Sequence, residues 1–288
     1  MTDRQLRIPF CVSIKSHIKI LFVKRREHIM KKVVLIVALL NILLLAGCSN
    51  VNNSQTEALK LEQRQRNKKI KHNRKIWTEK VSKAKNINNA EYDKYVTIVP
   101  KGYNDEDMTL NRLKNGNQLL VVAQVVNLQP ELGRLWLNET KATIHVERVI
   151  SGNRSLKNHN ILTEFSGGLN QAKDYFVSPE GKYVGTQQGF KPQTLIYSTN
   201  PTVPMPNIGQ RIIVGLKKYQ PDNQSQQKFY RKYGLTPKNF YVINNPEVTY
   251  WVEKNGQFKL NNPAFYQKQN RNKYPQLFKI TKKLNQMY

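Results

Sequence analysis

From residue 91 to residue 288 the chain is a succession of short apolar runs, rich in Val, Ile, Tyr and Phe, divided by Gly, Pro, Asn and Ser. This punctuation constrains the fold more than any other feature, because runs so short read as β-strands joined by turns. The clearest is Thr140 to Ile150. Ala142, Ile144 and Val146 fall on one face and Thr143, His145 and Glu147 on the other, the period of a strand buried on one side. Gln118 to Leu128 is the longest apolar run and reads as a central strand. Further strands are expected at Tyr95–Val99, closed by Pro100, at Asn160–Phe165, ended by Ser166-Gly167-Gly168, and at Arg211–Leu216 after Gly209. Phe240–Ile243 and Val248–Val252 are expected to pair around Asn244-Asn245-Pro246. Phe258–Leu260 follows Asn255-Gly256, the strongest short hairpin signal. From Pro275 a short helix is expected, with Leu277, Ile280 and Leu284 near one face. The expected architecture over 91–288 is mainly β, an antiparallel and partly closed barrel with a short C-terminal helix. The segment from Gln171 to Asn207 interrupts the pattern with five prolines, and its aromatics (Tyr175, Phe176, Tyr183, Phe190, Tyr197) are expected to pack it onto the barrel.

The N-terminal part follows other rules. Met30-Lys31-Lys32 is a short positive segment, Val33 to Leu45 an apolar run broken only by Asn41, and Ala46 and Gly47 are small residues before Cys48. This is the pattern of an export signal. The run is too short to cross a hydrocarbon layer, which takes about 20 apolar residues. Leu45-Ala46-Gly47-Cys48 resembles the lipobox of bacterial lipoprotein precursors. The resemblance implies that the Cys48 thiol receives diacylglyceryl, that the chain is cut just before it, and that the protein is held at the extracytoplasmic face of the cell membrane. Residues 1–29 then read as an upstream extension or a long basic leader, 30–47 as the signal peptide, and 48–55 as a lipidated polar tether. The only cysteines are Cys11 and Cys48. Both lie outside 91–288, so a disulfide framework and a cysteine metal site are excluded there.

Residues 56–90 read as a basic helical stalk. Between Lys60 and Lys85 stand eleven Lys and Arg against two Glu, without Pro or Gly. Ile70, Trp77 and Val81 share a thin stripe. The stalk is expected either to lie on an anionic leaflet with Trp77 at the interface or to act as a solvated spacer. The formal net charge of the whole chain is +28, which points to an anionic neighbour. In an exported protein that means anionic lipids or wall polymers, and nucleic acid is excluded by compartment.

In their order, a long strand, a second closing on Val149-Ile150-Ser151-Gly152, a third ending in Gly-Gly and a later Gly-initiated strand resemble netrin-like and metalloproteinase-inhibitor-like OB barrels. Uncharacterised lipoproteins of Gram-positive bacteria are similar over roughly Gln118 to Leu260. The resemblance implies an OB-like barrel. Protease inhibition does not carry over, because those inhibitors reach the protease zinc with a disulfide-tied N-terminal cysteine, and here that cysteine would carry lipid.

No HExxH, nucleophile elbow, phosphate-binding glycine loop or His cluster is present, so no catalytic residue, metal or cofactor is assigned. His145 and His159 are the only histidines beyond the stalk. Asp105-Glu106-Asp107 is the sole acidic cluster and reads as a solvated turn or an N-cap. Phe229, Tyr230, Arg231 and Tyr233 are the candidate binding residues, since rings beside charge can stack on sugars or meet anionic polymers; alternation along a strand would instead bury the rings and leave the charges in solvent. The expected function is a non-catalytic binding or interaction module at the cell envelope. The alternative is an enzyme on envelope material with Asp105, Asp107 or Glu164 as acid/base groups.

Overall fold

A computed structural model of the chain describes residues 57–87, 98–270 and 272–288. The expected signal segment, Leu45, Ala46, Gly47 and Cys48, the expected tether, and most of the expected strand Tyr95–Val99 lie outside the described residues. The chain divides into two compact units, Met1–Arg64 and Gln65–Tyr288, and the sheet lies wholly in the second. Among the described residues no helix is long and apolar enough to cross a membrane.

The second unit is mainly β. Its strands are β1 (Lys85–Asn86), β2 (Leu119–Pro130), β3 (Glu139–Ser151), β4 (Asn160–Gln171), β5 (Leu195–Thr199), β6 (Arg211–Lys218), β7 (Tyr241–Ile243), β8 (Tyr250–Lys254) and β9 (Gln257–Leu260). They form one sheet in the order β1-β5-β4-β3-β2-β6-β8-β9, with β7 also on β6, curled into a half-barrel. The helices are α1 (residues 57–82), α2 (Leu110–Asn115), α3 (Ala172–Tyr175), α4 (Gln224–Arg231), α5 (Pro246–Thr249) and α6 (Pro275–Met287).

The expected strands at 118–128 and 140–150 form β2 and β3, paired antiparallel with Val125 opposite Ile144. The continuous apolar run of β2 has a physical reason, since both of its faces are covered. Leu119, Val121, Ala123 and Val125 join Ala142, Ile144 and Val146 in one core. Leu120 and Val122 join a second, which Leu277, Ile280 and Leu284 of α6 seal. The expected C-terminal helix is thus present with its apolar face inward.

Four expectations are corrected. First, the sheet is mixed and not purely antiparallel: β1 runs parallel to β5, and Leu162 of β4 meets Phe240 in a parallel bridge. Second, β4 does not end at the glycines. Gly167 and Gly168 take φ of 99° and 115°, a region open to glycine and closed to larger residues. The chain bends there, so that β4 pairs with β3 up to Ser166 and with β5 from Gly167 onward. Third, β7 and β8 do not pair with each other. Both lie on β6, β7 against Leu216–Lys218 and β8 against Ile212–Val214, and a helical turn, α5, separates them. Fourth, the polar face of β3 is not open to solvent. His145 is buried beneath α1, whose Arg66 Nη1 donates to His145 Nε2 at 2.8 Å. Arginine has only donors, so the His145 ring donates through Nδ1 to Asn160 Oδ1, 3.1 Å away.

The last point changes the reading of the stalk. Arg66, Ile70, Asn73, Arg74 and Trp77 fall on one helical face. Ile70 is buried in the first core and Trp77 packs against it. Asn73 donates to Val126 O, and Arg74 donates twice to Ile208 O, at 2.9 and 2.7 Å. From Gln65 onward α1 is therefore a packed element of the sheet's own unit, not a solvated spacer.

Candidate functional site

The connection between β2 and β3, residues 131–138, reads Glu-Leu-Gly-Arg-Leu-Trp-Leu-Asn. It folds around Arg134, whose guanidinium is nearly enclosed. Nη1 donates to Glu131 Oε2 at 2.8 Å and to Glu164 Oε1 of β4. The guanidinium lies 5.3 Å from the ring centre of Phe229 and 5.4 Å from that of Tyr230, within cation–π range. Nη2 reaches the Tyr230 hydroxyl at 3.4 Å.

The carboxylates outnumber the cation. Glu131 is buried, and its Oε1 faces no donor among the described residues. Burial first, then the charge of Glu164 and a hydrogen bond to it, push the Glu131 carboxyl up to about 8. Burial and Glu164 likewise raise Glu139 to about 7. Burial opposes the charge on Arg134, but Glu164, Glu139 and Glu131 more than reverse this and raise it. Two like charges in a dry site do not both ionise readily. The Glu131 carboxyl thus holds its proton more firmly than a free one, and one guanidinium bridges it to Glu164. Glu139, Glu164 and Glu247 also line a cavity of about 190 Å³, with Phe165, Ser166 and Val203 among its walls.

The aromatic candidates meet this cluster from the other side. Phe229 and Tyr230 lie in α4, and Tyr233 in the turn after it, within the β6–β7 connection. Tyr230 packs on Tyr219 and Phe240, with ring centres 4.8 and 5.4 Å apart. Phe229 and Arg231 are exposed. Tyr233 leans edge-on to Phe229 at 5.6 Å and reaches Leu132 O at 3.4 Å. Phe229, Tyr230 and Tyr233 are thus brought together over the β2–β3 loop, while Arg231 stands in solvent. Helical spacing, not strand alternation, separates rings from charges.

The other candidates are dispersed. Asp105 is buried and accepts from Tyr103 Oη and from the Gln276 and Leu277 amides. It therefore caps α6 from 171 and 172 residues away in sequence. Asp107 forms an exposed pair with Arg112 at 3.2 Å, and the cap of α2 is Thr109. His159 is exposed and lies 3.0 Å from Lys157 O. Among the described residues no group of three His, Cys, Asp or Glu side chains is placed to hold a metal ion.

Sequence reasoning missed Glu131, Arg134 and Glu139, and with them the apolar tip of the loop. The available signal was the run Leu132-Gly133-Arg134-Leu135-Trp136-Leu137, which is apolar where a turn is ordinarily polar. Compared with known proteins, the chain matches no family model and no curated relative.

Proposed function

We propose that this chain is a lipid-anchored protein of the bacterial cell envelope whose OB-like barrel carries a non-catalytic binding surface. The lipobox Leu45-Ala46-Gly47-Cys48 supports the anchor. The strand pairings support the OB-like reading. β2-β3-β4 continue through the parallel Leu162–Phe240 bridge to β7, then β6, and back to β2, the five-strand circuit of that barrel. In such barrels the first and last interstrand loops are the usual ligand contacts. Here they are residues 131–138 and 219–240, and the meeting of these two loops around Arg134 is the observation that carries the reading. An anionic envelope component suits the charge of the chain.

The anchor is tested by labelled fatty acid. Wild type is expected to incorporate it and Cys48→Ala to lose it; undiminished labelling of the variant would remove the anchor. The surface is tested by retention on isolated envelope material. Phe229→Ser with Tyr233→Ser is expected to lower retention at least about tenfold, the scale of losing anchoring aromatics. A second reading, an acid/base enzyme on envelope material, is favoured by Glu139 and Glu164 facing one cavity with the Glu139 carboxyl raised. It requires that Glu164→Gln abolish turnover of that material while retention persists.

A further inference from the structure

Ten large apolar side chains are exposed among the described residues. Four belong to six consecutive positions of the β2–β3 loop: Leu132, Leu135, Trp136 and Leu137, each between 41% and 54% exposed. A fifth, Phe229, adjoins them over Arg134. A patch so concentrated marks a contact surface.

The loop's backbone is the opposite of its side chains. Buried Asn170 donates to Arg134 O at 2.7 Å and Leu137 O at 3.0 Å and accepts from the Gly133 amide. Trp136 N donates to Asp174 O at 3.0 Å. The Trp136 indole N–H, on a side chain more than half exposed, is already given to Val177 O at 2.7 Å. Trp136 holds φ at 62°, a conformation that a bulky residue keeps only where its surroundings impose it. The indole N–H and these backbone groups are thus paired within the protein, and the apolar side chains are held outward.

This division selects the occupant. A sugar or a polar peptide is held through donors and acceptors on the contacting side chains, and the exposed side chains of this loop are apolar, the one indole N–H being already given. A hydrocarbon phase offers polar groups nothing, so it suits a tip whose outward side chains are apolar. The surround is basic. Between Asn223 and Tyr233 stand Lys228, Arg231 and Lys232 with no acidic residue. Lys232 Nζ lies 3.4 Å from the Cβ position of Gly133 within the loop, and Lys173 is exposed beside Asp174. Basic side chains around an apolar tip complement anionic headgroups.

We propose that loop 131–137 docks on an anionic bilayer, sinking Leu132, Leu135, Trp136 and Leu137 among the acyl chains while Lys173, Lys228, Arg231 and Lys232 meet the headgroups. The inference deepens the envelope reading above and rests on it. It also predicts which part of the surface touches lipid, and this is measured independently of the anchor.

The chain has three tryptophans, of which Trp251 is fully buried and Trp136 is the exposed one. The lipidated full-length protein is incorporated into phosphatidylcholine vesicles with brominated acyl chains, with or without phosphatidylglycerol, and tryptophan emission is read. Because the anchor holds the protein in every sample, quenching reports loop depth and not attachment. Strong quenching is expected in the anionic vesicles, severalfold less in the neutral ones, and little in Trp136→Phe or in Leu135→Asp, which keeps the reporter. Equal quenching in Trp136→Phe would place the lipid contact elsewhere and overturn the proposal. So would absent quenching in protein that stays with the vesicles, or capture of the loop by a protein partner in that state; both leave the anchor intact. Failure of the wild type to take up label at Cys48 would instead strike the anchor reading, and added protein would still test the loop.

Discussion

At the scale of single residues, Glu131 is the group whose chemistry departs furthest from what its place in sequence suggests. A glutamate after Pro130, at the start of a turn, reads as solvated. It is instead enclosed beside Glu164 and Arg134, and its carboxyl is raised from 4.5 to about 8. Below pH 4.5 folded and unfolded chains both hold its proton. As pH rises through that window the folded chain keeps a proton that the unfolded chain has released, so stability falls, by at most about 1.4 kcal/mol per pH unit. Above about 8 the loss is complete. Glu139, raised to about 7, acts in the same direction. Glu131→Gln retains an acceptor for Arg134 and a donor for Glu164 but has no proton to lose. Its unfolding midpoint in urea is expected to match wild type near the acid end of the window and to exceed it near the alkaline end. Parallel pH profiles for the two proteins would show that the Glu131 proton is not retained on folding. The sequence could not disclose this cluster, because its members stand at 131, 134, 139 and 164 and only the β2–β3–β4 pairing makes them neighbours.

At the scale of elements, what was legible depended on how local the cause was. The β8–β9 hairpin was readable because Asn255 and Gly256, with φ of 53° and 74°, make the turn by themselves. The inward face of β3 was readable from its alternation. The partners of β7 and β8 were not, since both compete for β6 and neither signals that in its own residues. The continuation of β4 was missed because a Gly-Gly pair, commonly a stop, here serves as a bend. Gly168 shows why that bend tolerates nothing larger. A Cβ there would collide with Thr140 Oγ1, the hydroxyl that donates to Gly167 O at 2.8 Å, and φ is positive as well. Gly181, with φ of 78°, has nothing within 4 Å of the same position. Gly168→Ala is therefore expected to cost more than Gly181→Ala, by about 1–3 kcal/mol, in equilibrium unfolding. Equal losses would mean that the bend adapts and that positive φ alone sets the cost.

At the scale of the whole molecule, the decisive question is what the basic N-terminal helix does for the fold. Its charge points to a free stalk, and the stripe of Ile70, Trp77 and Val81 is thin. Much of the attachment is polar: Asn73 and Arg74 satisfy the carbonyls of Val126 and Ile208, and Arg66 satisfies His145. Close approach is allowed by Gly209, with φ of 91°, where a Cβ would run into Arg74 and stand 3.0 Å from Ile70 Cγ2. The helix thus covers His145, on the face of β3 that alternation assigns to solvent. A stalk and a packed helix differ in a measurable way. Ile70→Ala empties a buried site and is expected to lower the stability of the Gln65–Tyr288 unit by about 2–4 kcal/mol within the full chain. Lys71→Ala, one residue on and exposed, is expected to change it by no more than about 0.5 kcal/mol. Unfolding is followed through Trp251, buried in the second core and remote in sequence from the helix, so that a shift reports cooperative loss of the sheet and not local fraying. If Ile70→Ala left that transition in place, the sheet would fold without α1, and the helix would return to being a spacer ahead of the sheet.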